Sequence, residues 1–147
     1  DENALQAIKG RNLKSGDSVE LDVGGYSDKF AGNPVRINGI LEFSRISDRD
    51  PIAVIRFGQR NRLILTPVLN QVTGPAIFST LGIPLKELEI IVLKSRVHFR
   101  RGFVQTGIAG SVVIIDAPGW GPADLSTLPY KNIPKNLYPL NKEPGKK

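Results

Sequence analysis

Three residues of the chain have the side-chain types of a hydrolytic triad: Ser95, His98 and Asp116. A triad is defined by geometry, since a histidine must reach the serine and a carboxylate must orient the histidine. The serine lacks the G-x-S-x-G turn that exposes a nucleophile at the end of a strand. If Ser95 begins a helix, the backbone engages its oxygen as well. We therefore predict no catalytic residue in this chain.

The same segment could instead bind an anion, because Lys94 and Arg100 flank Ser95 and His98. With Ser95 as the N-cap of a helix, His98 would lie in the first turn, where the helix dipole disfavours a protonated imidazole. Free N–H groups of that turn could hold a carboxylate or a phosphate. The simpler interpretation is a capping serine, a locally bonded histidine and solvated cations. The spacing alone favours it, and both remain open.

Metal chemistry has few ligands available in this sequence. The chain has no cysteine, and His98 is its single histidine. Zinc sites usually take three or four ligands from histidine, cysteine and carboxylate side chains. We therefore predict no metal site and no cofactor in this chain itself.

Two apolar runs are predicted to position these polar residues. Residues 90–93 (IIVL) and 112–115 (VVII) are typical of strands buried on both faces. Apolar residues at moderately helical spacing lie between them, so the pattern predicts a βαβ unit with a right-handed crossover. Lys94 and Asp116 would then leave the sheet at its C-terminal edge, where ligands of α/β sheets bind.

The N-terminal half has a different pattern, in which apolar and polar residues alternate. Alternation predicts half-buried strands over residues 18–23, 35–42, 52–57 and 63–65, the last two forming a hairpin. Helical spacing predicts a short helix over residues 2–9, and Gly74-Pro75 opens another. The expected fold class is α/β (mixed α+β), with antiparallel strands joined to the βαβ unit.

The C-terminal part is rich in proline and glycine and shows no periodicity. We expect an extended tail that packs along one domain spanning residues 1–147, with residues 141–147 frayed. No apolar run approaches the roughly 20 residues of a spanning helix, and the acidic N-terminus is not a signal peptide. We therefore expect no membrane partner and a cytoplasmic location. The chain has no methionine, so we expect a processed protein or a piece of a longer one.

The charge is unevenly distributed along the chain. Residues 51–147 hold 13 basic and 5 acidic residues, whereas residues 1–50 hold 7 basic and 9 acidic. An alternative function is therefore a free-standing basic module that binds nucleic acid or another anionic partner. Arg56, Arg60 and Arg62 crowd one hairpin, but few aromatic residues lie beside them. Nucleic acid is therefore not the partner that we favour.

Several ordered motifs together resemble a known family. They are GDSVELDVGG, NPVRINGIL, LEIIVLKSRVHFRRGF, VVIIDAPG and LPYKNIPKNLYPLN. Their order over about residues 1–140 resembles the C-terminal domain of the microcystinase C (MlrC-type) zinc metallopeptidase family, known for microcystin degradation. Three departures, at Tyr26, at Gly74-Pro75 and in residues 102–110, leave the substrate open.

The resemblance implies a role for the chain. Family members are zinc-dependent hydrolases whose zinc ligands and acid–base residues lie in a larger N-terminal domain. By this resemblance the full-length protein is a zinc metallopeptidase, and this chain alone is inactive. Its partners would be the N-terminal metal-binding domain of the same polypeptide and a peptide or small-molecule substrate. Lys94, Ser95, His98 and Arg100 match the family's K-S-x-x-H-F-R motif, and with Asp116 they would line a substrate or interdomain cleft.

Overall fold

A computed structural model describes residues 1–26, 29, 31–47, 49–67, 71–95, 97–115, 124–134, 137 and 140. Its main elements are α1 (Glu2–Gly10), β1 (Ser18–Val23), β2 (Val35–Arg45), β3 (Ile52–Phe57), β4 (Asn61–Leu65) and α2 (Ala76–Thr80). Shorter turns are a 3-10 helix at Leu85–Glu87, a π-helix at Arg100–Val104 and a 3-10 helix at Leu125–Thr127. The predicted mixed α+β class is confirmed.

The four strands form one antiparallel sheet in the order β1-β2-β3-β4. The antiparallel arrangement predicted for the N-terminal half is therefore confirmed. Helix α1 covers one face and buries Ala4, Leu5 and Ile8. The Asp1 carboxylate caps this helix by accepting a hydrogen bond from the Ala4 N–H at 3.0 Å, and it accepts another from the Gly24 N–H at 2.6 Å. One side chain thus satisfies a free helix donor and joins α1 to the end of β1.

Strand β3 is buried on both of its faces. Ala53 and Ile55 belong to a core that α1 covers, whereas Ile52 and Val54 belong to a second core on the opposite face. Successive side chains of a strand point to opposite faces, so four consecutive apolar residues supply two cores. The second core is completed by residues from α2 onward, which are Phe78, Leu81, Ile83, Phe99 and Phe103.

A β-bulge in β2 distributes its side chains between the same two cores. Leu41 pairs with Ile55, but Phe43 pairs with Val54, so Glu42 is an extra residue. Residues two apart in a regular strand share a face; here Leu41 packs in the α1-covered core and Phe43 packs against the second. The extra Glu42 accepts two hydrogen bonds from the Arg62 guanidinium, at 2.6 and 3.0 Å. These bonds hold the pKa of the Glu42 carboxyl below its ordinary value.

The second core depends on a close approach between two backbones. Gly102 of the π-helix lies against Thr73 and Gly74, and a Cβ atom at Gly102 would overlap the Thr73 carbonyl oxygen and the Gly74 Cα. This approach allows Phe103 to reach Phe78, with ring centroids 6.2 Å apart and planes at 88°. Edge-to-face pairs of this kind add to the stabilisation from burial alone.

The prediction of a βαβ unit is wrong for the described residues. Residues 90–93 and 112–115 are in no strand, and the helix expected between them is reduced to the five-residue π-helix. Val92 is 85% exposed and Val113 is 81% exposed. A β-branched run favours extended backbone, but a strand also needs a neighbour with which to form hydrogen bonds. The described part of the chain supplies none to either run.

The C-terminal part contains the Leu125–Thr127 turn, which Asp124 caps through the Ser126 N–H at 2.9 Å. The frayed segment predicted at residues 141–147 lies outside the described residues. Among the described residues, none of the helices has the length and apolar character needed to cross a membrane.

Replacing Gly102 with alanine should destabilise the protein. The added methyl group must displace the backbone at residues 73–74, and overpacking of this kind costs about 2 kcal/mol. Urea unfolding should show this loss for Gly102→Ala. The control is Gly110→Ala, where a Cβ atom meets no other atom within 4 Å. Equal midpoints for the two variants would contradict the close approach.

Replacing Glu42 with glutamine should make stability less dependent on pH. Because the folded-state pKa of Glu42 is lowered, its contribution to stability is complete above the unfolded value of about 4.3 and is lost as the pH falls through the lowered folded-state pKa. We expect Glu42→Gln to cost about 1 kcal/mol of unfolding free energy at pH 7 and less at pH 3.

The matched control for this prediction is Glu89→Gln. Glu89 pairs with Arg60, but both side chains are 81% exposed, and such pairs contribute little. Unfolding free energies should therefore change little for Glu89→Gln at either pH. If Glu42→Gln lowered the unfolding free energy equally at pH 7 and pH 3, the shape of the Glu42 side chain and not its charge would stabilise the bulge.

Candidate functional site

Four of the five predicted site residues lie on one short segment that leads into the π-helix. Lys94 and Ser95 follow the apolar residues 90–93, His98 lies in a turn, and Arg100 is the first residue of the π-helix. Lys94, His98 and Arg100 are exposed, and Ser95 is half-buried. Whether their side chains converge on one ligand stays a prediction.

Two phenylalanines fix this segment to the second core. Phe99 and Phe103 are buried there, on either side of the first turn of the π-helix. The Arg100 guanidinium carbon lies 5.3 Å from the centroid of the Phe99 ring, a cation–π distance. The sequence pattern marks Phe99 only as one of the apolar residues between the two predicted strands, although its position before Arg100 was a usable signal. The ring gives Arg100 a defined position.

Ser95 does not cap a helix, so that prediction is wrong. The residue at the N-cap of the π-helix is Phe99, and no side chain bonds to that end. The backbone at Ser95 lies outside any helix, and the π-helix begins five residues later, at Arg100. It follows that His98 is not in the first turn of a capped helix, and the helix-dipole argument for its charge state no longer applies.

The Ser95 hydroxyl is the unusual group of the segment. Its Oγ is buried and forms no hydrogen bond within the described part of the chain. A buried hydroxyl without a partner costs about 1–3 kcal/mol. Such a group needs an explanation in a native protein, and a partner outside the described residues is one. The backbone engagement assumed for the triad argument is therefore absent.

Asp116 lies outside the described residues, as does Arg96. The geometry of Asp116 relative to Ser95 and His98 is therefore untested, and its place in the cleft stays a prediction. Among the residues that are described, no cluster of three or more histidine, cysteine, aspartate or glutamate side chains could hold a metal ion. These residues do not fit a zinc ion.

Two cavities lie beside α1, on the face of the sheet opposite the second core. One has a volume of 260 Å³ between α1 and the residues Ile46, Ser47, Arg49 and Pro51, and the other has a volume of 210 Å³ near Tyr26 and Arg36. Neither contains a predicted site residue. The Arg36 guanidinium is paired with Asp22 at 2.5 Å and with Glu20 at 2.8 Å. These paired charges leave the second cavity without an evident catalytic group.

The arginine-rich hairpin is partly neutralised by carboxylates. Arg62 is paired with Glu42 at 2.6 Å, and Arg60 is paired with Glu89 at 3.2 Å. A phosphate backbone would have to compete with these carboxylates. The hairpin therefore adds no support to the nucleic-acid alternative.

Most of the chain matches a known protein family. A family model described as MlrC C-terminus matches residues 1–132. The chain belongs to the MlrC C-terminal family. The match includes α1, the whole sheet, α2 and the segment from Lys94 to Arg100. No curated protein and no solved structure matches the chain.

This member of the MlrC C-terminal family should not bind zinc tightly by itself. Its described residues offer no cluster of ligands, and the sequence has one histidine and no cysteine. After dialysis against zinc-free buffer, the metal content of the purified chain should be far below one zinc per molecule. Stoichiometric zinc that is lost in His98→Ala would contradict this prediction.

Proposed function

We propose that this chain is the C-terminal domain of an MlrC-type metal-dependent, peptidase-like hydrolase that works in the cytoplasm. In this proposal, the zinc site lies in an N-terminal domain of the same polypeptide. The segment from Lys94 to Arg100 faces that domain and forms part of the substrate cleft or of the interdomain interface. Zinc, when bound in the other domain, would activate water for hydrolysis.

The observation that carries this proposal is the buried, unpartnered Ser95 hydroxyl next to exposed Lys94. A hydroxyl that is hidden from water and has no hydrogen-bond partner is costly. The cost disappears if a substrate group or a residue of the companion domain bonds to Ser95. Membership in the MlrC C-terminal family supports the existence of that companion.

The charges around Ser95 favour an anionic group. Lys94 is one residue away and exposed, and the Arg100 guanidinium lies over the Phe99 ring. His98 supplies a ring nitrogen that can donate a hydrogen bond. These groups suit a substrate carboxylate, or the oxygen of an anion that is bound to the metal of the companion domain.

Kinetics of the full-length enzyme test this role. Lys94→Ala and His98→Ala should each lower kcat/KM for the enzyme's substrate at least tenfold, ~1.4 kcal/mol of transition-state stabilisation, with the fold intact. The matched control is Lys86→Ala, because Lys86 is an exposed lysine in the earlier Leu85–Glu87 turn. It should leave kcat/KM within twofold.

A structural role for the segment predicts a different pattern. In that case His98→Ala lowers the melting temperature and changes kcat/KM by only a few-fold. Thermal melts of the same variants, recorded beside the kinetics, separate the two results. Ser95→Ala, which removes the unpartnered oxygen, should lower kcat/KM in our proposal without destabilising the chain.

A further inference from the structure

Two exposed segments have strand-like sequences and, among the described residues, no neighbouring strand. Residues 90–93 and 112–115 consist entirely of isoleucine, valine and leucine. Ile90 and Val92 are 80% and 85% exposed, and Val113 and Ile115 are 81% and 76% exposed. Single exposed apolar residues are ordinary, but consecutive runs of them mark contact surfaces.

The first segment already has the side-chain geometry of a strand. Ile91 and Leu93 pack against the second core, whereas Ile90 and Val92 project away from it. This alternation has a period of two residues, as in a strand with one face on a core. The second segment begins three residues after Ala109, which packs against the same core. Both segments therefore begin beside the second core.

The backbones of both segments are unpaired. Within the described part of the chain, residues 90–95 and 111–115 take part in no backbone hydrogen bond. By contrast, β3 is paired on both sides, with β2 and with β4. An apolar groove alone would cover the side chains and leave these N–H and C=O groups without partners. The edge of another β-sheet satisfies the backbone and covers the side chains together.

We infer that residues 90–93 and 112–115 are strands of a shared sheet, which form by pairing with an edge of the companion domain's sheet. The identity of that companion rests on the function proposed above. Pairing would bring Lys94 and Ser95 to the end of a strand in the shared sheet. Such strand ends are where ligands of α/β sheets gather.

Charge favours the companion domain over a second copy of the chain. The chain has a net charge of +6, and its residues 51–147 carry 13 basic against 5 acidic residues. Two copies would therefore repel each other at long range. The exposed cations Lys94 and Arg100, at and after the end of the first segment, would instead complement an acidic surface of the companion domain.

Hydrogen–deuterium exchange of the full-length protein tests this inference. Amides of residues 91–93 and 112–115 should exchange at least about 100-fold more slowly than in an unstructured peptide, and within about tenfold of the amides of β3. The measurement is made at a concentration where sedimentation shows a monomer. Unprotected amides in both segments overturn the inference. Protection that appears only when the protein dimerises overturns it as well.

Two substitutions at Val113 separate backbone pairing from side-chain contact. Val113→Pro removes the N–H and should abolish the protection of residues 112–115. Val113→Thr keeps the N–H and the β-branched shape, so it should retain that protection. If the proline variant does not fold, exchange of the wild-type protein still decides the question. Equal protection in both variants overturns the inference.

These results are separate from those for the proposed function. Fast exchange in both segments, together with losses of kcat/KM in Lys94→Ala and His98→Ala, removes the shared sheet and keeps the cleft. Slow exchange with unchanged kcat/KM supports the shared sheet and removes the catalytic contribution of the cleft residues.

Discussion

The burial of β3 on both faces is the constraint on which the rest of the structure depends. Its residues Ile52 to Ile55 alternate between the two cores, so neither core can form without the strand that carries the other. Helix α1 covers one side, and the segments from α2 to the π-helix cover the other. A strand buried in this way needs paired neighbours on both sides, and β2 and β4 supply them.

The bulge at Glu42 follows from the same constraint. Strand β2 must give Leu41 to one core and Phe43 to the other, and a regular strand cannot do so because residues two apart share a face. The extra residue solves this problem and leaves a carboxylate at the bulge. Arg62 from β4 binds it across the intervening β3, so the two strands beside β3 are also joined by side chains.

The sequence predicts those helices and strands whose side-chain pattern is matched in the structure by a neighbouring element that packs or pairs with them. Residues 52–57 form a strand with the expected bounds, and the helix expected over residues 2–9 is present as Glu2–Gly10. The alternation that predicts β2 up to residue 42 stops there because Glu42 is the bulge. For the candidate site, the sequence locates the segment that carries Lys94 and His98, but it misassigns Ser95 as a cap. Capping depends on where the backbone begins to turn, and the pattern of side chains does not determine that point.

The prediction of a βαβ unit is wrong for the described residues, but it is still informative about residues 90–93 and 112–115. Their composition resembles that of residues 52–55 of β3, which are apolar on both faces of the strand. Strand β3 has a paired neighbour on each side, whereas these runs have none in the part of the chain that the structure describes. The intrinsic preference of a residue for a strand reflects how well it packs on a pleated, covered surface. Because no strand among the described residues packs beside these two runs, they do not form the strands that their sequence favours. The unpartnered Ser95 hydroxyl lies two residues beyond the first run, so unmet backbone pairing and an unmet side-chain bond occur in the same place. Both would be satisfied by one neighbour, and this coincidence is the strongest physical reason to look for the chemistry of the chain at that surface.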